Sequence, residues 1–175
     1  MNINKKSNSK GFTLIELVVI VVIIAVLAVI ALPKFINIQA DARISVIRQV
    51  QTSIKSANDL LFAKSKVPSY SVVTSRGGRF TDIDMDGDGD FVIRQGDLSE
   101  PDIRLIWYYL DNADLLKQIN LSSEIIEQQD GIHDTYLGYD FDGDGDVIDD
   151  GCSFKYKQAQ SNGGKPEYSL ITDGC

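Results

Sequence analysis

Two short stretches of the chain carry aspartates at alternate positions. Residues 84–92 read DMDGDGDFV and residues 140–148 read DFDGDGDVI, so both follow the form D-x-D-G-D-G-D with two apolar residues behind it. Like charges this close repel one another, by roughly 1 to 4 kcal/mol per pair at about 4 Å. A bound cation would offset that repulsion.

Calcium is the cation that suits these donors. It takes about six to eight hard oxygen ligands in flexible geometry, whereas magnesium requires a tight octahedron and keeps its waters. Loops with alternating acids, a glycine at the sharp turn and an apolar residue two positions later wrap such an ion. Gly89 and Gly145 occupy the turn position, and Phe91 and Val147 occupy the apolar one. We therefore expect two calcium ions with a structural role, rather than two solvated acidic turns.

The predicted ligands come from both loops. The twelfth position of each loop is Gln95 or Gly151, so neither has the bidentate glutamate of an EF-hand, and a later acid must complete each site. The ligands predicted for the first loop are Asp84, Asp86, Asp88 and Asp90, with Asp82 and Asp97 as additional candidates. Those predicted for the second loop are Asp140, Asp142, Asp144 and Asp146, with Asp149 and Asp150 as additional candidates.

Catalytic chemistry finds little support in the sequence. An aspartate-nucleophile phosphatase can begin from D-x-D after a strand, but Asp144 stands where such enzymes have threonine or valine. His133 is the only histidine, so a histidine-based metal cluster cannot form, and we interpret it as a surface loop residue. We do not expect an enzyme.

One acid lies inside a long apolar run. From Gly11 to Leu32 the only ionisable residue is Glu16, and the run is long enough to cross a bilayer as a helix. A carboxylate in hydrocarbon costs roughly 2.5 kcal/mol or more, so it needs a specific partner.

The flanks of this run predict its orientation. Lys5, Lys6 and Lys10 precede it without any acid, which keeps that end cytoplasmic and sends the rest of the chain outside. Cys152 and Cys175 then lie where disulfides persist, and we expect them to be bonded rather than free thiols. Such a disulfide contributes roughly 3.5 kcal/mol in the chain-entropy model.

The remaining elements follow from periodicity. Apolar residues recur every three or four positions from Ile36 to Leu61, which predicts an amphipathic continuation of the helix. Strands are predicted over 67–74, 79–83, 154–156 and 168–172. Helices are predicted from Ser99 to Leu110, where Ser-Glu-Pro-Asp provides a start signal, and over 115–127.

Charge excludes one class of partner. The formal net charge is −8, and the residues after position 11 hold 14 basic and 25 acidic side chains, a net charge of −11. Nucleic acid is therefore not expected as a partner.

The segment KGFTLIE at 10–16, with the apolar run and Pro33 behind it, resembles the class III signal and N-terminal helix of type IV pilins and pseudopilins. The resemblance implies cleavage by prepilin peptidase between Gly11 and Phe12 and N-methylation of Phe12. It also implies that Glu16 pairs with the Phe12 ammonium of a neighbouring subunit during assembly, which agrees with the need of a buried charge for an opposite one.

A second segment narrows the resemblance. Residues 31–43, ALPKFINIQADAR, are similar to the corresponding part of MSHA-type pilins, a branch of the type IVa class. The close likeness covers about the first third of the chain, and a C-terminal cysteine pair also matches the pilin pattern.

The resemblance implies an α+β type IV pilin fold, with a long N-terminal helix packed on a globular head that has a small antiparallel sheet. The expected parts are a cleaved leader (1–11), a hydrophobic transmembrane and assembly half of the helix (12–32), an amphipathic half (33–66) and the head (67–175). The expected function is a structural subunit of an extracellular pilus filament for adhesion, attachment or motility. Its expected partners are identical subunits, prepilin peptidase, the assembly machinery and, before assembly, the inner membrane.

Two alternatives stay open. One is a minor pilin or a type II secretion pseudopilin. The other is a monomeric, membrane-anchored calcium-binding module, although a simple anchor has no use for the buried acid Glu16.

Overall fold

The computed structural model describes residues 12–67, 71–89, 91, 98–99 and 101–175, without the side chains of residues 33, 36 and 37. The chain divides into two compact units, Met1–Ala40 and Asp41–Cys175. One helix, α1 (Leu14–Lys64), contributes residues to both.

The first unit consists of the apolar part of α1. Leu14–Leu32 is long and apolar enough to cross a membrane, with a mean hydropathy of 3.4, and none of it is buried. The side chains here project on every face of the helix, since even consecutive residues such as Val21 and Val22 are more than half exposed. Among the described residues of this unit, no side chain of Leu14–Leu32 is buried against another element.

The second unit begins with the amphipathic part of α1. Ile47, Val50, Ile54 and Leu61 are buried at helical spacing, as predicted, while Arg48 is exposed on the opposite side. The buried stripe packs into the core of this unit.

Two four-stranded antiparallel sheets complete the second unit, each with its strands in sequence order. The strands of the first sheet are β1 (Val72–Ser75), β2 (Phe80–Ile83), β3 (Ile103–Ile106) and β4 (Tyr109–Leu110). The strands of the second sheet are β5 (Ile125–Asp130), β6 (Asp134–Tyr139), β7 (Ser153–Lys157) and β8 (Glu167–Ile171). Both sheets supply residues to one core, with Leu105 and Phe154 fully buried in it.

The predicted helix from Ser99 to Leu110 is wrong. The chain forms the hairpin β3–β4 here, and Trp107 and Tyr108 make its turn with φ angles of 52° and 72°. The predicted helix over 115–127 is also wrong in most of its length, because a 3₁₀ turn at Asn112–Lys117 is followed by β5.

The predicted fold class, α+β with an N-terminal apolar helix and antiparallel sheet, is confirmed and is consistent with a type IV pilin fold. There is more sheet than expected, since the predicted helices became strands and turns. Each aspartate loop follows the second strand of its sheet and leads towards the third. The architecture therefore puts both loops at the same place in their sheets.

Candidate functional site

Thr13 and Glu16 form a capping box at the start of α1. The Glu16 carboxylate accepts hydrogen bonds from the Thr13 backbone N–H (2.9 Å) and hydroxyl (2.7 Å). In return the Thr13 hydroxyl oxygen accepts the Glu16 N–H at 3.3 Å. The sequence pattern T-x-x-E is the signal of such a box. The prediction for Glu16 rested on its charge alone and did not include this cap.

The capping box gives Glu16 polar partners within its own chain. Acidic groups near a helix N-terminus also interact favourably with its unpaired backbone N–H groups. Phe12 precedes the box and is 74% exposed, while Gly11, on the other side of the predicted cleavage, lies outside the described residues. The box thus orients the acid directly after the predicted processing site.

The first aspartate loop wraps around the carboxylate of Asp84. Its Oδ1 accepts the Gly87 N–H at 2.6 Å, and its Oδ2 accepts the Gly89 N–H at 3.1 Å. Asp86 accepts the Asp88 N–H at 3.2 Å. These bonds turn the loop back on itself and leave the other lone pairs of the carboxylates for a further partner.

The second loop repeats this geometry. Asp140 accepts from Gly143 at 2.7 Å and from Gly145 at 3.0 Å, and Asp142 accepts from Asp144 at 3.2 Å. The two loops therefore have the same conformation as well as the same sequence pattern.

A third acid joins each loop from the segment that leads into the third strand of its sheet. Asp102 accepts the Met85 N–H at 3.0 Å, and Asp150 accepts the equivalent Phe141 N–H at 2.9 Å. One oxygen from each of Asp84, Asp86 and Asp102 lies within 4.8 Å of the others, and the same holds for Asp140, Asp142 and Asp150. Each triad offers hard oxygen donors spaced for a single cation.

The structure brings some of the predicted calcium ligands together and leaves others outside the triads. Five of them, from the two triads, are brought together: Asp84, Asp86, Asp140, Asp142 and Asp150. Asp88, Asp144, Asp146 and Asp149 belong to the loops but not to the triads, and Asp90 and Asp97 lie outside the described residues. Asp82 instead pairs with Arg104, at 2.8 Å and 3.0 Å.

Asp102 is the ligand candidate that sequence reasoning missed. The pairing of β2 with β3 sets Ile83 opposite Ile103, so Asp84 and Asp102 meet across the ladder. A strand prediction for 103–106 would have found this neighbour, but the predicted helix there concealed it.

Electrostatics in the second loop reflect the crowding of acids. The pKa of the Asp149 carboxyl is raised, first by partial loss of water and then by the nearby charges of Asp144, Asp146, Asp150 and Asp142. The pKa of Asp146 is lowered, chiefly by the hydrogen bond it accepts from the Ile148 N–H. The second loop is thus a region of concentrated negative charge.

A disulfide anchors the second loop. Cys152 and Cys175 are bonded, which confirms the expected pairing. Gly174 donates to the Gly151 carbonyl at 3.0 Å, and a side chain at Gly174 would collide with the backbone of Asp150. The C-terminal segment therefore packs against the backbone of the third acid of this triad.

Arg43 of α1 contacts both the C-terminal residue and the second aspartate loop. Its guanidinium donates to the Cys175 carbonyl at 3.0 Å and lies 4.6 Å from the centre of the Phe141 ring, which stacks on Tyr139. In the first loop, the Met85 sulfur lies 3.9 Å from Nζ of Lys64, a residue of α1.

Residues 6–32 match the family model of the prokaryotic N-terminal methylation motif. The motif is a type IV pilin-like prepilin signal, so the chain carries the N-terminus of a prepilin-type protein, a structural rather than an enzymatic class. Such proteins are substrates of prepilin peptidase and assemble into pilus-like polymers. The match supports this class and does not distinguish the MSHA-type branch.

No curated protein and no solved structure matches the chain. The second unit, with its aspartate loops, therefore has to be interpreted from its own geometry.

Proposed function

We propose that the protein is a structural subunit of an extracellular type IV pilus filament. The observation that carries the proposal is the first part of α1, whose apolar side chains are exposed on all sides behind a prepilin signal. Only two surroundings satisfy such a surface: a bilayer, or a bundle of equivalent helices. The inner membrane would supply the first before assembly, and the filament the second.

Assembly would depend on the residues at the start of the helix. Prepilin peptidase would cut between Gly11 and Phe12 and methylate the new amine, which stays cationic. That amine would then pair with Glu16 of a neighbouring copy and set the register between subunits. The capping box supports this arrangement, because it holds Glu16 at the helix terminus that faces the amine-bearing end.

The test is the mass of the main protein in filaments sheared from producing cells. A dominant species that begins at N-methyl-Phe12 and is two daltons light for one disulfide would support a major pilin. A processed chain that stays in the membrane fraction would instead support a minor pilin or a type II secretion pseudopilin. An unprocessed chain would favour a monomeric membrane-anchored module.

We further propose that the aspartate loops each bind one calcium ion, as structural supports of the head. The donor sets suit the ion, since every side-chain ligand in the two triads is a carboxylate. Backbone carbonyls, waters and the remaining loop acids, Asp88 and Asp90 in the first loop and Asp144 and Asp146 in the second, would complete about six to eight ligands. The shared loop conformation and the repeated third acid, Asp102 or Asp150, support two equivalent sites.

Within the type IV pilins we propose the MSHA-type branch, on the similarity of residues 31–43 alone. A structure of the filament would test the assignment, because the branch predicts a type IVa helical arrangement of the subunits. A pseudopilus-like arrangement would contradict it.

A further inference from the structure

A cavity of about 250 Å³ is lined by residues of the first sheet and of the β5–β6 turn, and by none of the described residues of either aspartate loop. Its floor is formed by polar side chains that are almost fully buried, Asp111, Asn112 and Gln158. Its mouth is marked by Arg79 and Ile132, which are exposed, and half-buried Phe80 forms part of its apolar wall. Neither the assembly role of α1 nor the metal loops make use of this cavity.

The polar groups of the floor are fixed in position. Gln158 accepts the Asn112 N–H at 3.1 Å and donates to the Ile132 carbonyl at 2.9 Å, so the orientation of its amide is determined by backbone partners. The same amide nitrogen lies 2.9 Å from His133 Nδ1. Since that nitrogen can only donate, Nδ1 must accept, and neutral His133 carries its proton on Nε2. The cavity is thus lined by donors and acceptors held in place before any ligand arrives.

Three arginine side chains surround Phe80 at the mouth of the cavity. The guanidinium groups of Arg76, Arg79 and Arg104 lie 5.4, 5.2 and 5.2 Å from the centre of the Phe80 ring. Asp82 neutralises Arg104, but in the described part of the chain neither Arg76 nor Arg79 has an ion-pair partner. Two unpaired cations beside one cavity are unexpected in a head with a large excess of acids, and they favour an anionic ligand.

The backbone at this mouth is also unusual. Arg76 has a φ of 49°, in the left-handed region that residues other than glycine seldom adopt. Such conformations persist only where the surrounding structure holds them, and they are enriched at functional sites. The turn Arg76–Gly78 joins β1 to β2, with Arg76 as its first residue and Arg79 directly after its end.

The burial pattern restricts the shape of the ligand. Asp111 on the floor is 1% exposed and would repel a second negative charge, so the anionic group must stay at the mouth with Arg79. The part that enters has to be uncharged, with hydroxyls for Asp111, Gln158 and His133 and an apolar face for Phe80 and Ile132. Nucleic acid does not fit, because its affinity depends on many phosphate contacts, and the chain after position 11 has a net charge of −11.

We propose that this cavity binds an acidic sugar, with the carboxylate at Arg79 and the hydroxylated ring inside. The probes are D-glucuronate and D-glucose, which differ by that carboxylate, titrated against the full chain in detergent and followed by saturation-transfer NMR. Glucuronate should bind on the order of tenfold more tightly than glucose, since hydrogen bonds to a charged group are the stronger ones. Equal affinities, or no binding of either sugar, would overturn the proposal.

Variants locate the site. Arg79→Gln should reduce glucuronate affinity to the level of glucose and leave glucose binding unchanged. Arg48→Gln is the matched control, because Arg48 is an exposed arginine on α1, outside the cavity lining, and its replacement should leave both affinities as they were. The melting temperature of each variant shows that it is folded.

Two competitors separate other anions from the sugar. Inorganic phosphate should displace glucuronate only weakly, since it lacks the ring, and duplex DNA should not displace it. Phosphate competing as well as glucuronate would reduce the site to a simple oxyanion site, and displacement by DNA would point to nucleic acid. Either result would refute the sugar assignment.

Discussion

Glu16 combines two roles that substitutions can separate. It caps its own helix through Thr13, and in the proposed assembly it also carries the charge that pairs with a neighbour's amine. Glu16→Ala removes both roles, and we predict no filaments but unimpaired membrane insertion, because the cost of a carboxylate in hydrocarbon disappears. Filaments counted by electron microscopy, with the membrane fraction probed in parallel, measure the two outcomes.

Glu16→Gln is the matched control for the charge. The amide still accepts the Thr13 hydrogen bonds but offers no negative charge. If charge pairing drives assembly, this variant also lacks filaments. Normal filaments from Glu16→Gln would contradict the pairing and leave only the capping role.

Thr13 tests the capping role alone. Thr13→Ala keeps the acid but loses the N-cap, which costs about 1 kcal/mol. We predict a reduced filament yield rather than its loss, with Thr13→Ser restoring the yield because the hydroxyl returns. The mass of the product must show normal processing, since position 13 lies close to the cleavage site. A yield equal to that of the parent chain would show that the capping box has no part in assembly.

Asp102 tests the ligand that only the structure revealed. Asp102→Asn keeps the size and the acceptor for the Met85 N–H but removes the charge, so the first site should lose its calcium and the bound ions per chain should fall from two to one. Metal analysis after equilibrium dialysis measures this count. Asp41→Asn removes an exposed acid on α1 and serves as the control. An unchanged count in Asp102→Asn would show that the first site does not need the negative charge of Asp102, and an unchanged count in Asp102→Ala would exclude Asp102 as a ligand.

At the scale of elements, the long periodic segments were predictable and the hairpin β3–β4 was not. The amphipathic stripe of α1 spans several turns, so its period is unambiguous. The hairpin turns at Trp107 and Tyr108, where positive φ angles normally call for glycine or asparagine. Tertiary contacts support that turn instead, with the Lys66 ammonium 3.3 Å from the centre of the Tyr108 ring. No local sequence signal reports such a contact.

In the aspartate loops too, the residues close together in sequence were predictable and a distant ligand candidate was not. The alternating acids and the turn glycines could be read from the sequence because all of them lie within one loop. The third acids could not, since Asp102 follows Asp84 by many residues and meets it only through strand pairing. Asp150 was recognised as a candidate because it is close in sequence to its loop.

The disulfide should affect the two loops unequally. Replacing both Cys152 and Cys175 by serine should lower stability by roughly 3.5 kcal/mol in the chain-entropy model. It should also weaken calcium binding at the second site more than at the first, because the C-terminal segment packs against Gly151 and the backbone of Asp150, the third acid of the second triad. Calorimetric titration of the full chain in detergent, with Asp102→Asn added to isolate the second site, would measure both effects. Equal weakening of the two sites would contradict this structural dependence.

At the scale of the whole molecule, the acidic head should depend on calcium for its stability. An ion that binds only the folded state stabilises it by mass action, by about 2.7 kcal/mol when its concentration is a hundred times the Kd. The full chain in detergent should therefore melt at a higher temperature with calcium than with a chelator, at constant ionic strength. Magnesium should substitute poorly. Identical melting curves with calcium and with chelator would contradict the proposal that calcium stabilises the head.

The two aspartate loops make the head a repeat of one structural unit. Each sheet is a four-stranded meander with an aspartate loop after its second strand and a partner acid before its third. The two halves of the head are thus internal structural repeats, and the disulfide and the Arg43 contact belong to the second repeat. Because the loops share one conformation, they should be interchangeable: a chimaera that carries residues 140–146 in place of 84–90 should fold and bind metal as the parent does.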